Sequence, residues 1–594
     1  MVIVIQRSLV MKSLPKFACF GFFLGTALAL LALDGGPQGG RALAAEPQKQ
    51  AHRVRMRDGV KLATDVYLPK GKGPFPVALV RTPYNKEEPN TRRLAAEGAR
   101  RGYAVVVQDT RGRYKSEGAN LPFEGDGWGK EQDGKDTLEW LVKQPWCSGK
   151  IGTLGGSALG ITQLWMAATG TQRIACQHVS VAATSLYHQA VFPGGVFKKA
   201  MAEGWLQATG FSPEALKIWT RHPTFDDYWR ERDVSARYGK MNAPAVHIGG
   251  WYDIFTQGTI DAFVGIQTNG GPQARGRQML VMGPWTHFIL VDRAGELIYP
   301  HAAAPPNRLQ DPWRWLDAYL KGANNGVARE PAVTYYVMGD VSDPKAPGNR
   351  WRSADKWPPA PAKSTPFYLQ EGKTLSSSKP AGGKPIRYTY DPKDPAPTLG
   401  GPQLNLLPGP VDQRPVEKRA DVLVFTGPVL AEPLEVTGRV RVDLWASSDA
   451  PDTDFFAKLC DVYPDGRSLN VCEGALRARF HESWQRETFL KPGEIYAFEI
   501  HLGSTSIIFN KGHRLRVDVT SSSSPGYDPN PNTGKPFRVD KKTQPARNRI
   551  YVDDKHGSAI WLPVVAGGTR RGASRHRFSG STLTEAAAAG EQGH

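Results

Sequence analysis

Short, continuous apolar runs punctuate the first half of the chain. Val77-Ala78-Leu79-Val80 and Tyr103-Ala104-Val105-Val106-Val107 lack the alternation of a strand with one wet face. They fit strands buried on both faces of a mostly parallel sheet. Lys150 to Leu154, Gln177 to Ala183, Ala245 to Gly249 and Gln278 to Met282 continue the series. Helical periodicity fills the gaps over Arg92 to Arg100 and Asp133 to Lys143. Arg53 to Tyr67 alternates instead and predicts an antiparallel hairpin turning at Asp58-Gly59. Strands alternating with helices predict an α/β domain.

Two changes of rhythm divide the chain. From about Ser185 to Tyr238 it is rich in Trp, Phe, Lys and Arg, with helical patterning broken by prolines. Lying between two sheet strands, this stretch is expected to form a helical cap over one end of the sheet and to shape a pocket there. A helical insertion without substrate contact is the plainer alternative. After about Ala360, Pro- and Gly-rich linking leads into short alternating strands: Leu423 to Thr426, Leu434 to Ala446, Phe455 to Tyr463, Glu494 to Leu502 and Arg514 to Thr520. These predict an antiparallel β-sandwich. The expected organisation is an α/β domain over 45–184 and 238–355, a cap over 185–237, a sandwich over 356–567 and a disordered Gly-, Ser- and Ala-rich tail over 568–594.

At 594 residues the chain exceeds one ordinary core. Its net charge of +18 raises nucleic acid as a partner. The basic residues are dispersed, with no zinc knuckle, recognition helix or basic run of five, so the charge reads as that of a basic soluble protein. Lys12 and Lys16 precede an uncharged apolar run from Phe17 to Leu33, and Arg-Ala-Leu-Ala-Ala-Glu follows. Residues 1–44 therefore read as a secretory signal, cleaved after Ala44 or Ala45, with Met11 an alternative start. An uncleaved anchor is the competing reading. Export leaves Cys147, Cys176, Cys460 and Cys472, which permits two disulfides: Cys460 with Cys472 across a hairpin centred on Pro464-Asp465-Gly466-Arg467, and Cys147 with Cys176 ahead of two neighbouring apolar strands; buried free thiols are the alternative.

Chemistry concentrates in three loops. Lys150 to Leu154 runs into Gly155-Gly156-Ser157-Ala158-Leu159-Gly160, followed by helix formers from Thr162 to Ala168. A strand, a sharp turn and a helix with serine at the turn is the layout of a nucleophile elbow, although the second glycine stands one residue later than in G-x-S-x-G. Asp253 follows the strand ending at Gly249, and His287 follows the strand ending at Met282. Ser, then Asp, then His is the order of an α/β-hydrolase triad, and all three fall past the carboxyl ends of strands. Alone, Asp253 would be a turn acid and His287 a surface or core histidine. An oxyanion needs two donors. The backbone N–H of Ala158 is one candidate, and the Tyr84 hydroxyl, in Arg81-Thr82-Pro83-Tyr84-Asn85-Lys86, is the other.

With these segments in hand, the chain resembles the CocE/NonD hydrolases, the group of bacterial cocaine esterase, α-amino-acid ester hydrolases, glutaryl cephalosporin acylases and Xaa-Pro dipeptidyl-peptidases. The resemblance runs from about 50 to 565. It is carried also by Gln108-Asp109-Thr110-Arg111-Gly112-Arg113, Gln144-Pro145-Trp146, Gly250-Trp251-Tyr252-Asp253, Gly283-Pro284-Trp285-Thr286-His287, Asp454 to Leu459 and Gly512 to Arg516. It implies an α/β-hydrolase domain with a helical cap and a C-terminal jelly roll of the galactose-binding-like kind. It assigns Ser157, Asp253 and His287 as catalytic residues and Tyr84 with Ala158 as the oxyanion hole. It also accounts for the longer elbow, G-x-S-Y-x-G in the family. The tyrosine of that motif is Ala158 here, so a wider acyl pocket, or one filled by a cap aromatic, is expected.

The expected activity is an exported serine hydrolase, periplasmic or extracellular, cleaving esters or amides of small acyl substrates through an acyl-enzyme. No cofactor, metal or nucleic acid is expected. One alternative is a dipeptidyl-peptidase, which needs an acid to hold the substrate amine; Glu203, Glu214, Asp226, Asp227, Glu231 and Asp233 are available but read as a solvated face. Another is a glycan-binding protein working through the sandwich. Asp528 to Gly534 faintly resembles a calcium loop, but its glycine is late and it reads as a turn.

Overall fold

The computed structural model describes residues 47–565 apart from 360 and 540. The signal segment and the C-terminal tail expected from the sequence lie outside the described residues. Ten strands form the first sheet: β1 (Gln48–Arg55), β2 (Lys61–Leu68), β3 (Phe75–Thr82), β4 (Ala104–Asp109), β5 (Cys147–Gly156), β6 (Ile174–Ser180), β7 (Ala245–Gly250), β8 (Gln278–Gly283), β9 (Val333–Val337) and β10 (Arg350–Ala354). Their order is β1-β2-β4-β3-β5-β6-β7-β8-β9-β10. From β4 to β9 every pairing is parallel, while β1 and β10 close the edges antiparallel. The continuous apolar runs are the central strands: β4 and β8 are buried throughout. The predicted hairpin is present, with Arg55 paired to Lys61.

Helices α1 (Pro89–Arg100), α2 (Asp133–Leu141) and α3 (Ala158–Ala168) connect the early strands. Between β6 and β7 the chain leaves the sheet for a helical insertion containing α4 (Lys199–Thr209) and α5 (Pro213–Arg221). Ser212 caps α5 by accepting from the Glu214 N–H, and Pro213 fills its first position, so that proline marks a helix start, whereas Pro223 stands just past the helix end. Helix α6 (Thr256–Asn269) follows β7, and α7 (Pro312–Leu320) precedes β9.

The C-terminal part is β-rich. Its larger sheet has seven strands centred on Leu434–Ser448, which pairs with Tyr496–Phe509 over nearly its whole length. The smaller contains β11 (Leu423–Thr426), β12 (Asp454–Val462), β13 (Ser468–Arg477) and β14 (Arg514–Thr520), in the order β11-β14-β12-β13. Inward residues of both sheets, among them Val442, Leu444, Phe455, Leu459 and Val517, form one core that continues to Trp251, Tyr252 and Tyr336 of the first domain. The two domains therefore share apolar packing directly beside the Asp253 loop.

Among the described residues, Cys147, Cys176, Cys460 and Cys472 are all free thiols. Cys472 lies opposite Leu459 while Cys460 lies opposite Asn470, so the two sulfur atoms face opposite sides of the sheet. Cys176 is level with Gly152, well along β5 from Cys147 at its start. The disulfide alternative is corrected on those grounds. The Asp528 to Gly534 segment is a turn: Asn530 donates to Asp452 and Asp454, both at 2.8 Å, and Asp528 pairs with Arg538.

Candidate active site

Ser157 sits between β5 and α3 with φ 58° and ψ −129°. Such a backbone is strained for a residue bearing a Cβ, and it holds the side chain away from both flanking elements. Gly160 permits the tight crossing. A Cβ there would stand 2.8 Å from the Ala182 Cβ and 3.0 Å from the Ser180 carbonyl oxygen. The displaced second glycine of the elbow thus serves the same close approach of helix and strand, one residue later.

Two loops deliver the acid and the imidazole. Trp251 N–H donates to Gly283 O and Tyr252 N–H to Trp285 O, both at 2.9 Å, so the segments after β7 and β8 are zipped together. Gly250 lies so close to Trp285 that a Cβ would meet its carbonyl oxygen at 2.2 Å. Trp251 is anchored in turn by its indole N–H on Tyr336 O at 2.8 Å. The result is a relay. His287 Nε2 is 2.9 Å from Ser157 Oγ, and His287 Nδ1 is 2.6 Å from Asp253 Oδ1. Asp253 is buried, and Phe255 meets the imidazole edge-on at 5.6 Å. The structure brings together all three residues expected from the sequence.

Tyr84 lies just past β3, on the other side of Ser157. Its hydroxyl accepts from Trp205 Nε1 at 3.0 Å and lies within hydrogen-bonding reach of the Ser157 side chain and the Ala158 N–H. Burial raises the phenol pKa, which keeps it protonated as a donor. Arg113 holds this loop against the insertion, with Nε on Pro83 O at 2.9 Å and its guanidinium also on the carbonyls of Thr209 and Gly210. Trp205 and Arg113 were not singled out from the sequence as site residues. Arg113 belongs to a quoted motif, whereas Trp205 sits in an insertion whose register on the sheet no periodicity reveals.

The pocket at Ser157 is small, about 30 Å³, and its lining includes Phe123, Ala158, Met201, Trp205, Trp219 and Leu404 but no charged side chain. Phe123 stacks on Trp205 at 5.8 Å, and Trp205 on Trp219 at 6.3 Å, with ring planes nearly parallel. None of the six acids of the insertion lines it. Glu203 pairs with Arg538, Glu214 with Lys217 and Arg221, Asp226 with His222, and Asp227 with Arg230. Glu231 is exposed. Asp233 departs from the expected solvated face, because it is buried and lines a separate cavity of about 630 Å³. That larger cavity, between the insertion, α6 and the C-terminal domain, reaches Asp253 but not Ser157. Lys198 also lines it; burial lowers its pKa to about 8.

Comparisons with known proteins cover both domains. Residues 58–217 and 207–289 match the family model described as X-Pro dipeptidyl-peptidase (S15 family), and 325–560 match the X-Pro dipeptidyl-peptidase C-terminal non-catalytic domain. Cocaine esterase of Rhodococcus sp. (strain MB1 Bresler) is 36% identical over 579 residues, spanning 86% of this chain and 97% of that protein. Among solved structures, an α-amino acid ester hydrolase superposes with a TM-score of 0.75 at 27% identity, over 90% of this chain and 99% of its own. An aminopeptidase from a marine sediment Thaumarchaeota archaeon gives 0.75 at 25% identity, over 90% and 100%. By its similarity to cocaine esterase along nearly all of both chains, and by the match to both domain models, this chain belongs to the CocE/NonD serine hydrolases of the X-Pro dipeptidyl-peptidase (S15) group.

Proposed function

We propose that the protein hydrolyses carboxylic esters of small, uncharged acyl groups through an acyl-enzyme formed on Ser157. His287 takes the Ser157 proton as Oγ attacks the carbonyl carbon, and Asp253 holds the imidazole tautomer and offsets its charge. The Tyr84 hydroxyl and the Ala158 N–H stabilise the oxyanion. His287 then protonates the departing alcohol. Water, deprotonated by His287, attacks the acyl-enzyme and releases the acid. The helical insertion acts as a cap that supplies Trp205 and Met201 to the acyl pocket, and the C-terminal domain, a jelly roll in this reading, walls it through Leu404.

The observation that carries the choice of substrate is the uncharged lining of the pocket at Ser157. A dipeptidyl-peptidase reading has the family description behind it. It requires a carboxylate near the substrate amine, and the acids of the insertion are engaged or directed elsewhere. Export is part of the proposal. The charged-then-apolar N-terminal pattern supports it.

The test is fluorophosphonate labelling of wild type beside Ser157→Ala, followed by turnover of simple esters, amino-acid esters and Xaa-Pro amides. Labelling of wild type alone, with simple esters the fastest substrates, is expected. Substantial hydrolysis by Ser157→Ala would overturn the assignment of the nucleophile. Faster turnover of Xaa-Pro amides would overturn the substrate class.

A further inference from the structure

Strands β12 and β14 run antiparallel with Lys458 opposite Asp518 and Cys460 opposite Arg516. Residues two apart share a face, as do residues directly opposite one another, so these four side chains project from one side of the smaller sheet. Leu459 and Val517 point the other way, into the core. The helical turn α8 (Arg414–Glu417) brings Glu417 to the polar face. Glu417, Cys460 and Asp518 each present a donor atom, and all three donors lie within 4.8 Å of one another. Cys460 Sγ stands 3.8 Å from Asp518 Oδ2.

The cluster is buried and incompletely satisfied. Cys460 is fully buried, and the Glu417 and Asp518 side chains are only 7% and 6% exposed. Glu417 Oε2 accepts from Arg516 Nη1 at 2.6 Å, but Oε1 has no hydrogen-bond partner, and neither has Asp518 Oδ1. Lys458 is engaged by Gln413 Oε1 at 2.5 Å and by Glu473 at 3.6 Å. Among the described residues no cation pairs with Asp518 at ion-pair distance. The Lys458 and Arg516 charges act on Asp518 only from beyond that distance, and a buried carboxylate oxygen without a partner is costly.

We propose that Glu417, Cys460 and Asp518 form a structural zinc site that ties the α8 turn to strands β12 and β14. The charge balances: a divalent ion offsets the Cys460 thiolate and the Asp518 carboxylate, while Glu417 is already offset by Arg516. Binding displaces the thiol proton, and with it any proton on Asp518, to solvent. Zinc bonds of roughly 2.0–2.3 Å in a tetrahedron hold donors about 3.3–3.8 Å apart. The Cys460–Asp518 pair already has that spacing, and the rest of the trio closes to it by about 1 Å. Sulfur among the ligands favours zinc over magnesium or calcium. No residue of the four strands of this sheet lines the pocket at Ser157, so the ion's role is to hold the domain together. The ligands come from three separated segments, with none of the close Cys/His spacing by which zinc sites are read from sequence.

The test uses the full chain, stripped with a chelator and then equilibrated with zinc alone or cobalt alone. Wild type is expected to retain one more zinc per chain than Cys460→Ser or Asp518→Asn, and to melt at a higher temperature with zinc than without. Neither variant is expected to show that rise. Cobalt is expected to give a thiolate-to-metal absorption band in wild type that Cys460→Ser lacks. Fluorophosphonate labelling checks that each variant is folded. Equal zinc retention by folded wild type and variants overturns the proposal, as does a wild type that binds no metal above buffer. If a variant fails to fold, the wild-type cobalt spectrum decides, and absence of the band overturns the site.

Discussion

Replacing Tyr84 by phenylalanine removes one oxygen and leaves the ring in place. In the proposed mechanism that oxygen is one of two oxyanion donors, the other being the Ala158 N–H. Its loss should lower kcat by ~10²–10³, or about 3–4 kcal/mol of transition-state stabilisation. The stability cost is separate and smaller. Trp205 Nε1 loses its acceptor at 3.0 Å, worth about 1–3 kcal/mol if the N–H finds no water. Trp205 itself is expected to stay in place, because it is stacked between Phe123 and Trp219. The assay is steady-state hydrolysis of a p-nitrophenyl ester, with thermal melting in parallel. A folded Tyr84→Phe protein with KM near wild type and kcat down at least a hundredfold is the expected result. A kcat within threefold of wild type would refute Tyr84 as a donor and place the second donor elsewhere in the loop after β3.

Trp205→Phe keeps the aromatic stack but no longer donates to the Tyr84 oxygen; a fall in kcat of about tenfold is expected, equivalent to about 1.4 kcal/mol of lost positioning, and an unchanged kcat would show that Tyr84 needs no such support. Gly160→Ala forces a Cβ to within 2.8 Å of Ala182; an overpacking loss of about 1–3 kcal/mol should appear in denaturant melts, and full stability would show that the helix crosses the strand less tightly. Lys198 is buried, and burial lowers its pKa to about 8 from 10.5. Between those values the unfolded chain binds a proton that the folded chain lacks, so this lysine's contribution to stability rises with pH across that window. Below about pH 8 the full cost of burying the charge applies, about 3 kcal/mol. Lys198→Met should therefore be more stable than wild type at pH 7 and lose that advantage towards pH 10.5; a pH-independent difference would refute the argument.

Much of the α/β architecture was legible because burial on both faces leaves a continuous apolar signature. Tyr103 to Val107 and Gln278 to Met282 became central strands for that reason. Edge strands carry no such signature, and β10, Arg350–Ala354, is largely polar and was not predicted. Predicted boundaries slipped where a strand outran its apolar stretch: Tyr496–Phe509 extends well past Leu502, through a polar Gly-Ser-Thr-Ser segment. At the site, Ser157, Asp253 and His287 were readable because each stands in a short loop directly after a strand, where one position decides the geometry. Trp205 and the burial of Asp233 were not. Both depend on how an insertion of short, proline-broken helices docks on distant loops, and local pattern carries no record of that contact. The fates of Cys460 and Cys472 turned on a register irregularity at Leu459/Cys460. A hairpin centre alone could not reveal it.

In the proposed mechanism, the departure at Ala158 links substrate choice to the oxyanion hole. A tyrosine at that position would project its ring from the first turn of α3, where Ala158 now lies buried. In this chain Ala158 shares its pocket with Trp205, whose ring stacks on Phe123 and whose N–H reaches the Tyr84 hydroxyl. One side chain from the helical insertion thus fills space beside the elbow and holds the Tyr84 hydroxyl, the proposed oxyanion donor. That arrangement leaves a narrow, apolar volume for the acyl group, and substrates with bulky acyl groups must displace the aromatic stack to enter. Displacement would pull Trp205 away from Tyr84. Large acyl groups should consequently be penalised in kcat as well as in KM, because they disturb a group that acts on the transition state.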